Sequence, residues 1–204
     1  MNKNAQTSFY HKAGEIIIKD HKAIEAGTIR QELDVFKINL LDIGKFDGHI
    51  CGCNTAGFLI TKKILGILFP NEIPSRNTVK VTISEYNRDL MDAICFITGI
   101  RLNTGKYTNT ENEFSVNESL SDTEETTVMV FERKDNGKKV KAVLDKKYLL
   151  TRDEAMAIQT IKPKLMKQEA TDAEKKQYAE VTSAIVRKEI TNMPKGAVAY
   201  TQLN

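Results

Sequence analysis

Cysteine is scarce in this chain, and none follows residue 95. Three thiols in 204 residues, two of them the close pair Cys51 and Cys53 and the third inside the apolar stretch AICFI, supply no disulfide framework and point to a reducing, cytoplasmic setting. Long apolar runs are missing too. The greasiest segment, AGFLITKKILGILF, is broken by Lys62 and Lys63 and falls short of the roughly 20 residues that cross a bilayer, so a core helix is expected there and no membrane association. The first residues, MNKNAQTSFYHKAGEIIIKD, hold only Ile16-Ile17-Ile18 as an aliphatic run and lack a cleavage pattern, so no secretory signal is read. Charge of one sign is not in excess. Thirty basic against 27 acidic residues leave +3, too even a balance for a phosphate-seeking field, and nucleic acid is not expected as a partner. No segment repeats at a fixed period, which excludes a solenoid.

What is present is the composition of a globular domain with additions, large enough to bury a substantial core. Thr28 and Gln31 have the spacing of a capping box, and Leu33, Phe36, Leu40 and Leu41 follow near a helical period, predicting a helix through RQELDVFKINLLDI that Gly44 stops. Asn54 or Thr55 can cap a second, buried helix running to about Phe69 before Pro70. VKVTIS alternates apolar and polar residues as a half-buried strand does. Asn87 can cap a helix over RDLMDAICFIT, and Gly99 can end it. Residues 103–126 read as an irregular excursion with a short strand near Phe114 to Val116. TTVMVFERK and KKVKAVLD, joined through Asp135-Asn136-Gly137, read as an antiparallel hairpin. After Thr151 the texture turns helical, with caps at Thr151 and at Thr171 or Asp172, and MPKGAVAYTQLN reads as a loose tail. The expected architecture is α+β: a mixed or antiparallel sheet with packed helices in a core over residues 1–150, and a helical extension over 151–204.

The chemistry gathers in FDGHICGC. Asp47, His49, Cys51 and Cys53 stand at alternate positions, so an extended backbone would turn all four to one side, with Gly48 and Gly52 permitting bends. Imidazole, thiolate and carboxylate are the donors zinc takes in tetrahedral sets, and another divalent transition metal would accept them as well. A helix entrance beside the thiols favours an anion and should lower a thiol pKa. Cys51 is thus equally a candidate nucleophile with His49 as its proton partner and Cys53 as a resolving thiol. Against both stands the bland alternative, in which Cys53 packs as a small apolar residue and His49 satisfies a local carbonyl. Asp89 and Asp92 open the next helix and can either reach a shared site or complement its dipole. Lys106 beside Gly105 can contact an anionic cofactor or other small-molecule ligand. His11 and His21 look like surface residues without ligand partners.

Two blocks taken together, FDGHICGCNTAGF and EYNRDLMDAICFITGIRLNTGKY, resemble the formylmethanofuran dehydrogenase E-subunit family. That family carries an F-H-G-H-x-C-x-G block before a helix, and later an N-D-x-C-x-x-D-A-x-x-x-x-T-G block followed by a G-K loop. Phe46, Gly48, His49 and Cys51 match the first, and Asp92, Ala93, Ile94, Thr98, Gly99, Gly105 and Lys106 match the second, over a resemblance spanning about residues 28–150. Asp47 stands where the family has its first histidine and Asp89 where it has a second cysteine. The resemblance implies an α+β core that pairs as a homodimer and a metal-binding cavity, here with His49, Cys51, Asp47 and Asp89 as ligands. The zinc module that some members add at the C-terminus needs cysteines this chain lacks after Cys95. Three functions follow as expectations: a zinc-binding protein of this type, hydrolytic or small-molecule binding; a metal-independent thiol enzyme using Cys51 with His49; and a non-catalytic interaction module whose partner meets the C-terminal helices.

Overall fold

The computed structural model of the protein describes residues 9–101 and 113–203. Its first element, β1 (Glu15–Lys19), alternates in the manner of a half-buried strand: Ile16 and Ile18 are buried while Ile17 is exposed. It pairs antiparallel with β2 (Val35–Asn39), Ile17 lying opposite Lys37. The short α1 (His21–Glu25) lies between them, capped by Asp20, whose carboxylate accepts from the Ala23 amide at 3.1 Å.

The helix expected across residues 28–43 does not form as one element. The stretch divides into a 3-10 turn at Gln31–Leu33, the strand β2, and α2 (Leu40–Asp47). Two forces override the helical spacing. Val35, Phe36 and Ile38 are β-branched or aromatic and find a partner strand far back in the chain. Asn39 then closes a capping box, accepting from the Leu41 and Asp42 amides while its own amide donates to Asp42 Oδ2 at 3.0 Å, which fixes the helix start there. Gly44 does not stop α2. The helix continues to Gly48, whose φ of +79° is the left-handed terminus. Gly44 instead makes room for Ile50, whose side chain would meet a Cβ there at 2.6 Å.

The two central helices form where the sequence predicts them. α3 (Gly52–Leu68) is apolar almost all round and ends before Pro70; α4 (Arg88–Thr98) is capped by Asn87 and ended by Gly99 at φ +74°. They pack closely because Gly57 has no side chain: a Cβ there would lie 2.9 Å from the Leu90 carbonyl oxygen and 3.0 Å from Ala93 Cβ. This contact sets the distance between the start of α3 and the first turn of α4.

Five strands form the main sheet in the order β4-β3-β5-β6-β7: β3 (Val79–Ile83), β4 (Phe114–Val116), β5 (Thr126–Arg133), β6 (Lys139–Asp145) and β7 (Val198–Leu203). Only β3 and β4 are parallel. The expected hairpin is β5–β6, with Gly137 at φ +69° and Arg133 forked onto Asp135 through two 2.7 Å bonds. The C-terminal residues are not a loose tail. Val198 to Leu203 pair with β6, Leu203 opposite Lys139, and close the edge of the sheet; their alternation is weak because an edge strand buries little of either face.

Before that strand the chain makes α5 (Arg152–Met166) and α6 (Asp172–Asn192), each opened by a threonine–glutamate capping box, Thr151 with Glu154 and Thr171 with Glu174. α6 packs on α3 and buries Ile185, Val186 and Glu189. The architecture is α+β, and no helix among the described residues is long and apolar enough to cross a membrane.

Candidate metal centre

The site is built around a side chain. Asn54, fully buried in the first turn of α3, donates from Nδ2 to the His49 carbonyl at 2.9 Å and to Asp47 Oδ2 at 3.0 Å, and accepts from the Cys51 amide at 2.9 Å. One amide thus holds three points of the link between α2 and α3. Asn54 is not the N-cap the sequence predicts; Cys51 takes that position, its sulfur accepting from the Asn54 backbone, and Asn54 completes the box from three residues on. The tightened link presents His49 and Cys51 at the mouth of α3.

α4 supplies the third group. Asp89 Oδ2 lies 3.5 Å from Cys51 Sγ and 3.6 Å from His49 Nε2, and the ligating atoms of His49, Cys51 and Asp89 all fall within 4.8 Å of one another. His49 Nδ1 sits 3.3 Å from the Asp47 carbonyl oxygen. When Nδ1 carries the ring proton for that bond, Nε2 turns a lone pair toward a carboxylate and a sulfur, a meeting of three electron-rich atoms that a cation satisfies. The His49 side chain is 52% exposed and that of Asp89 31%, so the cluster is open to solvent on one side. Sulfur, nitrogen and oxygen together suit zinc or a neighbouring transition metal and suit poorly an ion that prefers oxygen alone.

The convergence does not arise as simple alternation. Asp47 is the last residue of α2, Gly48 turns left-handed, and Cys53 is already helical, so only His49 and Cys51 share the projected side. Asp47 stands outside the three-atom group with Oδ2 engaged by Asn54, while its Oδ1 is buried without a hydrogen-bond partner. Burial holds its carboxyl above the usual range, the nearby charges of Asp92 and Asp89 adding to the effect against the Asn54 bond. Asp92 pairs with Arg88 at 3.4 Å. Lys106 falls outside the described residues, and His11 and His21 are exposed.

The two thiols divide their roles contrary to the sequence expectation. The neighbouring thiols act on each other in opposite senses: the interaction with Cys53, together with burial, raises the Cys51 thiol, and the same interaction pulls Cys53 down to about 6. Asn87 Nδ2 assists by donating to Cys53 Sγ at 3.5 Å.

Sequence reasoning missed the contribution of the C-terminal helices. Glu189 on α6 is 3% exposed and reaches the α3 entrance at Gly52. Tyr178, two turns earlier on α6 than Ile185, has its hydroxyl pushed up by burial, with Lys162 on α5 opposing and the charges of Cys51, Cys53 and Asp89 reinforcing. Helical spacing of Tyr178, Ile185 and Glu189 marks one inward stripe of α6, but nothing in a single sequence ties that stripe to residues 51–53.

The family model described as FmdE, Molybdenum formylmethanofuran dehydrogenase operon, matches residues 46–198. The match begins at Phe46, immediately before the cluster, and continues through α5 and α6 into β7, beyond the limit at about residue 150 that the two sequence blocks indicate. No curated protein matches the chain significantly.

Proposed function

Since the chain belongs to the formylmethanofuran dehydrogenase E-subunit family, we propose that it is a metal-binding protein whose cation, zinc by the character of the donors, is held by His49, Cys51 and Asp89. The observation that carries this reading is the approach of one nitrogen, one sulfur and one carboxylate oxygen to within 4.8 Å, contributed by two helix starts and the link before one of them. Asp47 serves as an outer carboxylate that orients His49 through its backbone carbonyl and keeps Oδ1 free. Three protein ligands with one open face leave a position for water or a small molecule, the pattern of catalytic zinc sites more than of closed structural ones. Lys106, which matches the family's G-K pair in sequence, is assigned to binding the negative charge of an anionic ligand. The protein acts as a homodimer in the cytoplasm, as the family resemblance implies.

Elemental analysis of chelator-free protein tests the central statement. One zinc per chain, lost in the His49→Ala, Cys51→Ala double variant with the fold retained, is the expected result; metal-free wild type, or undiminished metal in the variant, removes it. Light scattering reports the dimer separately.

A second reading has an observation of its own. The Cys53 thiol, pulled down to about 6 by the neighbouring Cys51 and by Asn87 Nδ2 donating to its sulfur at 3.5 Å, favours a thiol enzyme with Cys53, rather than Cys51, as nucleophile. Metal-independent alkylation of Cys53 that abolishes a ligand-binding or catalytic signal would favour it over the metal centre.

A further inference from the structure

A glutamate buried in α6 has no visible reason to be charged or polar. Glu189 is 3% exposed, and among the described residues neither carboxyl oxygen has a hydrogen-bond partner. Ile185 and Val186 are buried beside it on the same helix. An ionised carboxylate removed from water without a partner is unfavourable, and a buried carboxyl stays ionised in a fold when it is paired or coordinates a cation.

Its position identifies what it faces. A Cβ built on Gly52 would lie 3.5 and 3.7 Å from the two Glu189 oxygens and 2.7 Å from Ile185 Cγ2, so α6 presses directly on the residue between the two cysteines. Asp47 Oδ1, the other orphaned carboxylate oxygen, belongs to the same link. Unpartnered, buried oxygens thus occur at the end of α2 and on the helix packed against Gly52, and the cluster of His49, Cys51 and Asp89 stands at the entrance of α3. Glu189 lies outside the 4.8 Å group in this conformation, on the helix that packs against the residue following Cys51.

We propose that α6 takes part in cation binding through Glu189, whose carboxylate adds an oxygen from the buried side to the three-residue set of His49, Cys51 and Asp89 and leaves its solvent-open face free. This rests on the metal-binding reading given above and adds a purpose for the C-terminal helical pair: it carries a ligand that the two sequence blocks do not. A divalent transition cation suits a carboxylate oxygen added to the sulfur, nitrogen and oxygen donors of the cluster.

The test compares the full-length wild type with Glu189→Gln and with Glu180→Gln, which removes an exposed carboxylate from the same helix. Zinc affinity is measured by competition with a chromogenic chelator, the Co²⁺-loaded absorption spectrum reports coordination, and thermal melting is recorded without metal. Glu189→Gln is expected to weaken zinc binding tenfold or more and to change the Co²⁺ bands, while melting no lower than wild type without metal; Glu180→Gln should match wild type. Zinc affinity within twofold of wild type in Glu189→Gln, or a metal-free melt that falls in step with affinity, overturns the proposal, the latter by showing a role in packing alone. Wild type that binds no zinc overturns the underlying metal reading first, and is distinguished by the first titration.

Discussion

Asn54→Ala is the perturbation that most directly separates a built site from a chance gathering of polar side chains. Truncation leaves the Cys51 amide, the His49 carbonyl and Asp47 Oδ2 each without the bond of 2.9 to 3.0 Å they now have. At about 1 kcal/mol for each lost bond, with rehydration of the half-exposed link offsetting the further cost of unpaired groups, the loss is about 3 kcal/mol. For a chain of this size that corresponds to a fall in melting temperature of roughly 6 to 12 °C. Urea denaturation and thermal melting of metal-free protein give both values, and a zinc titration beside them should show affinity reduced by roughly tenfold or more because His49 and Cys51 lose their common anchor. Asn54→Asp sharpens the argument. It keeps an acceptor for the Cys51 amide but sets a second carboxylate against Asp47, so it should be at least as unstable at neutral pH and recover as the pH is lowered. Asn54→Ala within about 1 kcal/mol of wild type, or with unchanged zinc affinity, would refute the view that one buried amide organises the cluster.

Other outcomes follow from the same geometry. Gly57→Ala places a Cβ 2.9 Å from the Leu90 carbonyl oxygen, so α4 must move away; destabilisation of about 1 to 3 kcal/mol and weaker metal binding, through displacement of Asp89, are expected by melting and zinc titration. Thiolate absorbance in the ultraviolet in metal-free protein should rise with an apparent pKa of about 6, and in Cys51→Ala that step should move upward because the hydrogen bond to Cys53 is gone. Glu189 gives a pH signature of definite sign: burial raises its folded pKa well above 4.5, the ordinary glutamate value, so its neutral form stabilises the fold below that value and the benefit is lost as pH rises through the folded pKa. Glu189→Gln should therefore match wild type in acid and exceed it in metal-free stability at neutral and higher pH; equal pH profiles in urea would count against the buried carboxyl.

Much of this fold was legible because its signals were local. Asn87 and Gly99 bracket α4, Pro70 follows α3, and Asn136-Gly137 closes a hairpin, each through chemistry contained within a few residues. β2 was hidden because a period near 3.6 in Leu33, Phe36 and Leu40 imitates a helix, and only Ile16 and Ile18, distant in sequence, reveal the strand. β7 was hidden for the same reason: its partner precedes two helices. At the site, His49, Cys51 and Asp89 stand out by donor type and motif, whereas Asn54 has the pattern of a cap and nothing in the sequence sets Glu189 apart from the other charges of its helix. Hydrogen bonding across the link and burial against Gly52, which decide both cases, are properties of the assembled chain.

The return of the C-terminus to the sheet has a mechanical consequence. Because β6 leads into α5 and β7 receives the chain from α6 on the neighbouring position of the same sheet, the helical pair stands on two adjoining feet. Peeling residues 198–203 from the sheet rim would cut one foot while leaving the other, and α6 would lose its anchorage at the end nearest Glu189.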